Sequence, residues 1–201
     1  MVAIIDYGMG NVLSVQKALN KIGMESIITA DKDEIRNSSH IILPGVGSFN
    51  RAMENLHAKG LVSILRAEVN EHKKPFLGIC LGMQLLADNG YEDGETEGLG
   101  FIEGSVREIP AHNLPIPHIG WNDVSIKQDT YFNNVQDHNF YFVHSYYLDV
   151  KNESDISATV QYGCLLTAAV QKENIFGTQF HPEKSQQEGL NILKTFFQVN
   201  A

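Results

Sequence analysis

Apolar residues follow two rhythms along this chain, and the change between them sketches the fold. A short continuous run, Val2 to Asp6, reads as a buried strand. Val12, Val15, Leu19 and Ile22 then recur at helical spacing until Gly23 stops the helix. His40 to Leu43 is another strand. Ser48 is placed to cap a helix carrying Phe49, Met53 and Leu56, which Gly60 ends before a further helix carrying Leu61, Ile64, Leu65 and Val69. Pro75 to Ile79 is apolar again and runs into a helix after Cys80. From Phe101 onward short apolar runs alternate with turn residues, and Lys172-Glu173-Asn174 joins two of them as a hairpin. Phe140 to Val150 reads as one strand, with Phe140, Phe142, His144, Tyr146 and Leu148 on one face. The pattern Ser185-x-x-Glu188 predicts a capping box opening a last helix with Leu190, Leu193 and Phe197 inward. Alternating strands and helices followed by a β-rich half predict an α/β fold in one domain, 1–201.

Chemistry concentrates first at Gly78-Ile79-Cys80-Leu81-Gly82. Two glycines allow a sharp strand-to-helix turn that lifts the side chain between them out of the sheet, as in the nucleophile elbow of serine hydrolases. Here that side chain is a thiol, and a helix N-terminus favours its thiolate. The competing interpretation is a buried cysteine serving as a small apolar residue. Gln179-Phe180-His181-Pro182-Glu183-Lys184-Ser185 weighs against it by supplying a base and an acid together. A catalytic imidazole needs an acceptor on its far nitrogen to hold the tautomer. On an extended segment His181 and Glu183 project from the same side, so Glu183 can be that acceptor.

Taken together, Gly-Ile-Cys-Leu-Gly-Met-Gln and His-Pro-Glu-Lys-Ser resemble the class I, triad-type glutamine amidotransferases. The likeness spans the chain, through Ile5 to Asn11, Leu43 to Phe49, Pro117 to Asn122 and Tyr141 to Tyr146. Within the class it is most similar to the glutaminase subunits of imidazole glycerol phosphate synthases, with Met83 where other members more often carry histidine. The resemblance implies a three-layer α/β fold around a central mixed, largely parallel sheet. It implies glutamine as substrate, hydrolysed by Cys80, His181 and Glu183. For the oxyanion, backbone amides near Gly45, Val46 and Gly47 join that of Leu81; the competing view of Pro44-Gly45-Val46-Gly47 is an ordinary strand-ending turn. By the same resemblance, Gln84, Glu92, His144, Ser145 and Tyr146 bind glutamine. Asn11, Trp121, Tyr141 and Lys184 match positions at a subunit interface or ammonia passage. Individually these four also read as a helix cap, a core tryptophan, a strand tyrosine and a surface lysine.

Free ammonia needs an acceptor, and the chain shows no second domain to use it. The resemblance therefore implies a partner, a TIM-barrel cyclase in a heterodimer, acting on a phosphoribulosyl nucleotide in histidine biosynthesis. An amidotransferase paralogue serving a surface-polysaccharide nucleotide sugar is the nearer alternative. A non-catalytic regulatory subunit is the farther one.

Composition narrows the field further. A formal charge of −9 over 201 residues argues against nucleic acid or an anionic membrane surface as partner. Lys73-Lys74 is expected as a solvated pair at a helix end. No secretory or transmembrane segment is evident, and two cysteines without metal-site spacing suit a reducing cytoplasm. Eight scattered histidines form no ligand motif, so no metal and no organic cofactor is expected.

Overall fold

The computed structural model describes residues 1–110 and 114–200. In chain order the strands are β1 (Val2–Ile5), β2 (Ser26–Thr29), β3 (His40–Gly45), β4 (Phe76–Cys80), β5 (Asn89–Gly90), β6 (Thr96–Glu97) and β7 (Gly104–Glu108). They continue as β8 (His118–Ile126), β9 (Asn139–His144), β10 (Tyr146–Val150), β11 (Ile156–Tyr162), β12 (Cys164–Lys172) and β13 (Ile175–Thr178). The helices are α1 (Val12–Lys21), α2 (Lys32–Asn37), α3 (Phe49–Ala58), α4 (Leu61–Arg66), α5 (Leu81–Gln84) and α6 (Gln186–Val199).

A nine-stranded sheet runs β2-β1-β3-β4-β13-β12-β11-β8-β9, and a four-stranded sheet runs β10-β7-β5-β6. The large sheet is mixed, as expected. Its β2-to-β13 half is parallel and its β13-to-β9 half antiparallel, so parallel character is confined to one side. The parallel strands read as unbroken apolar runs because both faces are covered. Ala3, Ile5, Ile41 and Leu43 point into a core shared with α3, α4 and the small sheet. Val2, Ile4, Leu77 and Ile79 point the other way, into a core closed by α1 and α6.

Several local expectations are corrected. Phe140 to Val150 is not one strand: it breaks at Ser145, and β9 and β10 enter different sheets. A chain that alternates apolar residues cannot reveal such a break, because both pieces keep the same period. The capping box does not form. Ser185 Oγ instead donates to the His181 carbonyl at 2.7 Å and accepts from Tyr141 N–H at 3.0 Å, while Glu188 accepts from Gln136 N–H at 3.1 Å. Ser48 likewise makes no side-chain cap, and Glu92 Oε2 takes the Phe49 N–H at 2.8 Å in its place. Lys74 is not solvated. It is paired with Glu68 at 2.7 Å, both side chains under 10% exposed, and it also donates to the Ile35 and Arg36 carbonyls. The hairpin at Glu173-Asn174 is present, joining β12 to β13 through the Lys172–Ile175 pair.

Among the described residues, no helix is long and apolar enough to cross a membrane.

Candidate active site

Cys80 ends β4, and β13 lies beside it in parallel with Thr178 opposite Ile79. The segment after β13 therefore emerges at the carboxyl end of the neighbouring strand, which brings His181 next to a cysteine about a hundred residues earlier in the chain. On the other flank β3 pairs Gly45 with Cys80, so the loop from Gly45 to Gly47 rims the same end of the sheet. Ligands of open α/β sheets bind at this end, where the strands stop and the loops diverge.

The turn at Cys80 is strained. Its φ is +55° and ψ −111°, a conformation that side chains other than glycine rarely adopt. Its neighbours explain how the chain tolerates it. A Cβ on Gly82 would lie 1.7 Å from the Leu43 carbonyl oxygen, and one on Gly78 would lie 2.6 Å from the Gly82 oxygen. Only glycine at both positions lets α5 fold back so tightly on β3 and β4. Leu81 follows as the first residue of α5, where a backbone N–H has no partner within the helix.

His181 is 1% exposed, and its Nδ1 donates to Glu183 Oε1 at 2.8 Å. Glu183 reaches it from a 3-10 turn, Pro182–Lys184, rather than from an extended strand. The turn brings the carboxylate back under the ring, and the backbone pins it there through His181 N–H to the Tyr141 carbonyl at 2.9 Å. Burial disfavours a charged ring, but the Cys80 sulfur and Glu183 outweigh it and hold the His181 pKa up at about 9. Nε2 makes no hydrogen bond of acceptable geometry, and the thiol rests instead on the Val143 carbonyl at 3.8 Å.

A cavity of about 280 Å³ opens over the sulfur. Val46, Gly47 and Leu81 line it near Cys80, with Gln84, Glu92 and the His144-Ser145-Tyr146 segment opposite. Gln84 Nε2 donates to the Tyr146 carbonyl at 2.8 Å, which leaves its own oxygen as the free acceptor. Burial pushes the Glu92 carboxyl up, Phe49 N–H opposes this and Asp93 adds to it. The Val46 N–H donates to the Met9 carbonyl at 3.1 Å and so is committed elsewhere in this state. Gly45 is buried against Tyr7 and Leu81, which a Cβ there would strike at 2.5 and 2.8 Å.

Outside the cavity, Trp121 is 47% exposed rather than part of the core. It meets Tyr141 edge-on at 6.1 Å, and Lys184 Nζ stands 5.7 Å over the Tyr141 ring. Asn11 opens α1 and accepts from Ser14 Oγ at 2.8 Å. Among the described residues no cluster of histidine, cysteine and carboxylate side chains could hold a metal ion.

The class I glutamine amidotransferase family model matches residues 3–199. The chain belongs to that family. It is 49% identical to imidazole glycerol phosphate synthase subunit HisH 1 of Campylobacter jejuni subsp. jejuni serotype O:23/36 (strain 81-176), over 98% of each chain. It is 47% identical to the HisH subunit of Moorella thermoacetica, over 97% of this chain and 93% of that one. A crystal structure of a glutamine amidotransferase superposes with a TM-score of 0.79 at 19% identity, covering 100% of this chain and 99% of that one, and shares the fold.

Two side chains near the site escape a reading of motifs, His118 and Gln179. His118 and His144 are buried and joined Nδ1 to Nε2 at 3.0 Å. His144 Nδ1 must be the donor to the Tyr146 carbonyl at 2.9 Å, so its Nε2 is an acceptor and His118 donates to it. The Asn122 amide then donates to His118 Nε2 at 3.2 Å. Burial, chiefly, holds both rings neutral, with pKa values lowered to about 4. The His118 ring is also stacked between Phe142 and Tyr162. Gln179 is the second such group, fully buried beneath Cys80. Both lie inside segments singled out for other residues, and only the pairing of strands brings His118 against His144 and Gln179 against Cys80.

Proposed function

We propose that the chain is the glutaminase subunit of an imidazole glycerol phosphate synthase, acting as one domain over residues 1–201 in the cytoplasm. It hydrolyses glutamine to glutamate and ammonia for a TIM-barrel cyclase bound as a heterodimer. The observation that carries this is the buried His181–Glu183 pair at 2.8 Å beside Cys80 on the strained elbow. Near 49% identity to chains named as such subunits supports the same assignment.

The Cys80 thiolate attacks the side-chain amide carbon of glutamine, and the carbonyl electrons move to oxygen. Leu81 N–H and the Gly45-Val46-Gly47 amides hold that oxyanion, Val46 after exchanging its bond to Met9. A single such donor is worth about 3 kcal/mol of barrier. His181, charged and steadied by Glu183, gives a proton to the amide nitrogen, the C–N bond breaks and ammonia leaves. Water then yields a proton to His181 and attacks the thioester, breaking the C–S bond and releasing glutamate. Gln84 oxygen and the Glu92 carboxylate face the α-amino group, while backbone at His144, Ser145 and Tyr146 holds the α-carboxylate.

Asn11, Trp121, Tyr141 and Lys184 form the docking surface and ammonia passage. Exposure of Trp121, against the habit of tryptophan, supports that role.

Glutamate release from the chain alone, and with a histidine-pathway cyclase and its phosphoribulosyl nucleotide, tests the assignment. Strong stimulation with formation of imidazole glycerol phosphate is expected, and loss of both in Cys80→Ser. No stimulation by that cyclase, with Cys80 still required for hydrolysis, would move the acceptor to a nucleotide sugar. Unchanged release from Cys80→Ser would remove the triad altogether.

A further inference from the structure

Gln179 sits where an inert residue would serve if only packing mattered. Its side chain is fully buried, yet both ends of the amide are engaged. Oε1 accepts from Gln84 Nε2 at 3.0 Å, and Nε2 donates to Cys80 Sγ at 3.7 Å. The orientation of this amide is forced by what surrounds it. The Tyr146 carbonyl can only accept, so Gln84 must turn its nitrogen toward it, at 2.8 Å. The second hydrogen on that nitrogen then points at Gln179, which must answer with oxygen. Its nitrogen is therefore left facing the sulfur.

The opposite orientation would set two amide nitrogens against one another in a dry interior, at the cost of buried unsatisfied donors. A backbone carbonyl in β10 thus dictates, through two glutamines, that the sulfur always meets an N–H. An N–H is a weak partner for a thiol and a strong one for a thiolate, because hydrogen bonds to charged acceptors are about twice as strong.

We infer that Gln179 is a further catalytic residue, whose amide N–H stabilises the Cys80 thiolate and whose aim is set by Gln84. Gln84 consequently has two duties. Its oxygen lines the glutamine cavity, while its nitrogen locks the donor under the nucleophile. Displacement of Gln84 would disturb the sulfur without touching it. The inference rests on Cys80 being the nucleophile proposed above.

The test is the pH dependence of iodoacetamide alkylation at Cys80 in the full chain, read by mass spectrometry of the Cys80 peptide. Gln179→Met keeps the volume and removes the donor. Its alkylation rate at pH 7 is expected to fall about tenfold, while the plateau rate at high pH stays that of the parent. Gln179→Glu, nearly isosteric, is expected to depress the neutral-pH rate further by setting a carboxylate against the thiolate.

A purely structural role would lower the plateau as well, by changing access, or move nothing. Parental pH profiles in the folded variants, or an equal loss at neutral and high pH, would overturn the inference. Should Gln179→Met not fold, Gln84→Met tests the same point, since it frees the Gln179 amide to turn its oxygen to the sulfur. Glutamate release by the alkylated parent, measured with the cyclase, separates the two claims. Persistent release removes Cys80 as nucleophile, whereas abolished release with unmoved profiles removes only Gln179.

Discussion

Lowering the pH from 7 to 5 should destabilise this protein through one buried pair. His118 and His144 share a hydrogen bond that requires both rings neutral, and each pKa is depressed to about 4. In the unfolded chain both take up protons near pH 6.5. Stability is therefore full above pH 6.5 and is lost as pH falls toward 4, where the folded rings finally charge. For one such histidine the loss between pH 7 and pH 5 is about 2 kcal/mol, and for the pair about 2 to 4 kcal/mol. His181 acts in the opposite sense. Its raised pKa, about 9, contributes stability that is complete below pH 6.5 and lost as pH rises through 9. Between pH 5 and 7 it returns only about 1 kcal/mol. The assay is urea denaturation at the two pH values, on the parent and on His118→Phe. Phenylalanine fits between Phe142 and Tyr162 but leaves His144 Nε2 without its donor, at a cost of about 1 to 3 kcal/mol at pH 7. Having one fewer depressed group, the variant should lose less on acidification, and the gap to the parent should narrow by about 2 kcal/mol at pH 5. A gap that does not change with pH would refute the neutral-pair argument.

Two other perturbations follow from single contacts. Gly82→Ala places a Cβ 1.7 Å from the Leu43 carbonyl, so α5 must move off β3. A loss of about 3 kcal/mol in stability is expected by thermal melting, with glutaminase activity lost at temperatures where the variant is still folded. Glu68→Ala strands Lys74 in the interior and should cost about 3 to 5 kcal/mol, whereas the double variant with Lys74→Met should recover most of it. Equal stabilities for the single and double variants in urea would show the pair to be uncoupled.

What the sequence by itself determined follows from local periods and local chemistry. Unbroken apolar runs marked β1, β3 and β4 because a parallel strand covered on both faces has no polar side. Gly78-Ile79-Cys80-Leu81-Gly82 announced its elbow because only glycine permits that backbone approach, and His181-Pro182-Glu183 held base and acid within one turn of chain. Class and candidate triad were both legible there, though the turn proved 3-10 rather than extended. Other assignments depended on which strand lies beside which. Adjacency of β4 and β13 joins Cys80 to His181, and no residue in either segment encodes its neighbour. The break at Ser145 sends β9 and β10 to different sheets while preserving alternation, so period alone could not show it. Glu92 caps α3 from a distant loop, Ser185 serves His181 instead of its own helix, and Lys74 is buried by a partner on the preceding turn. His118 and Gln179 acquire their roles last of all. A hydrogen bond has direction, and the direction of theirs is set by carbonyls and sulfur that arrive only when the sheets have closed around them.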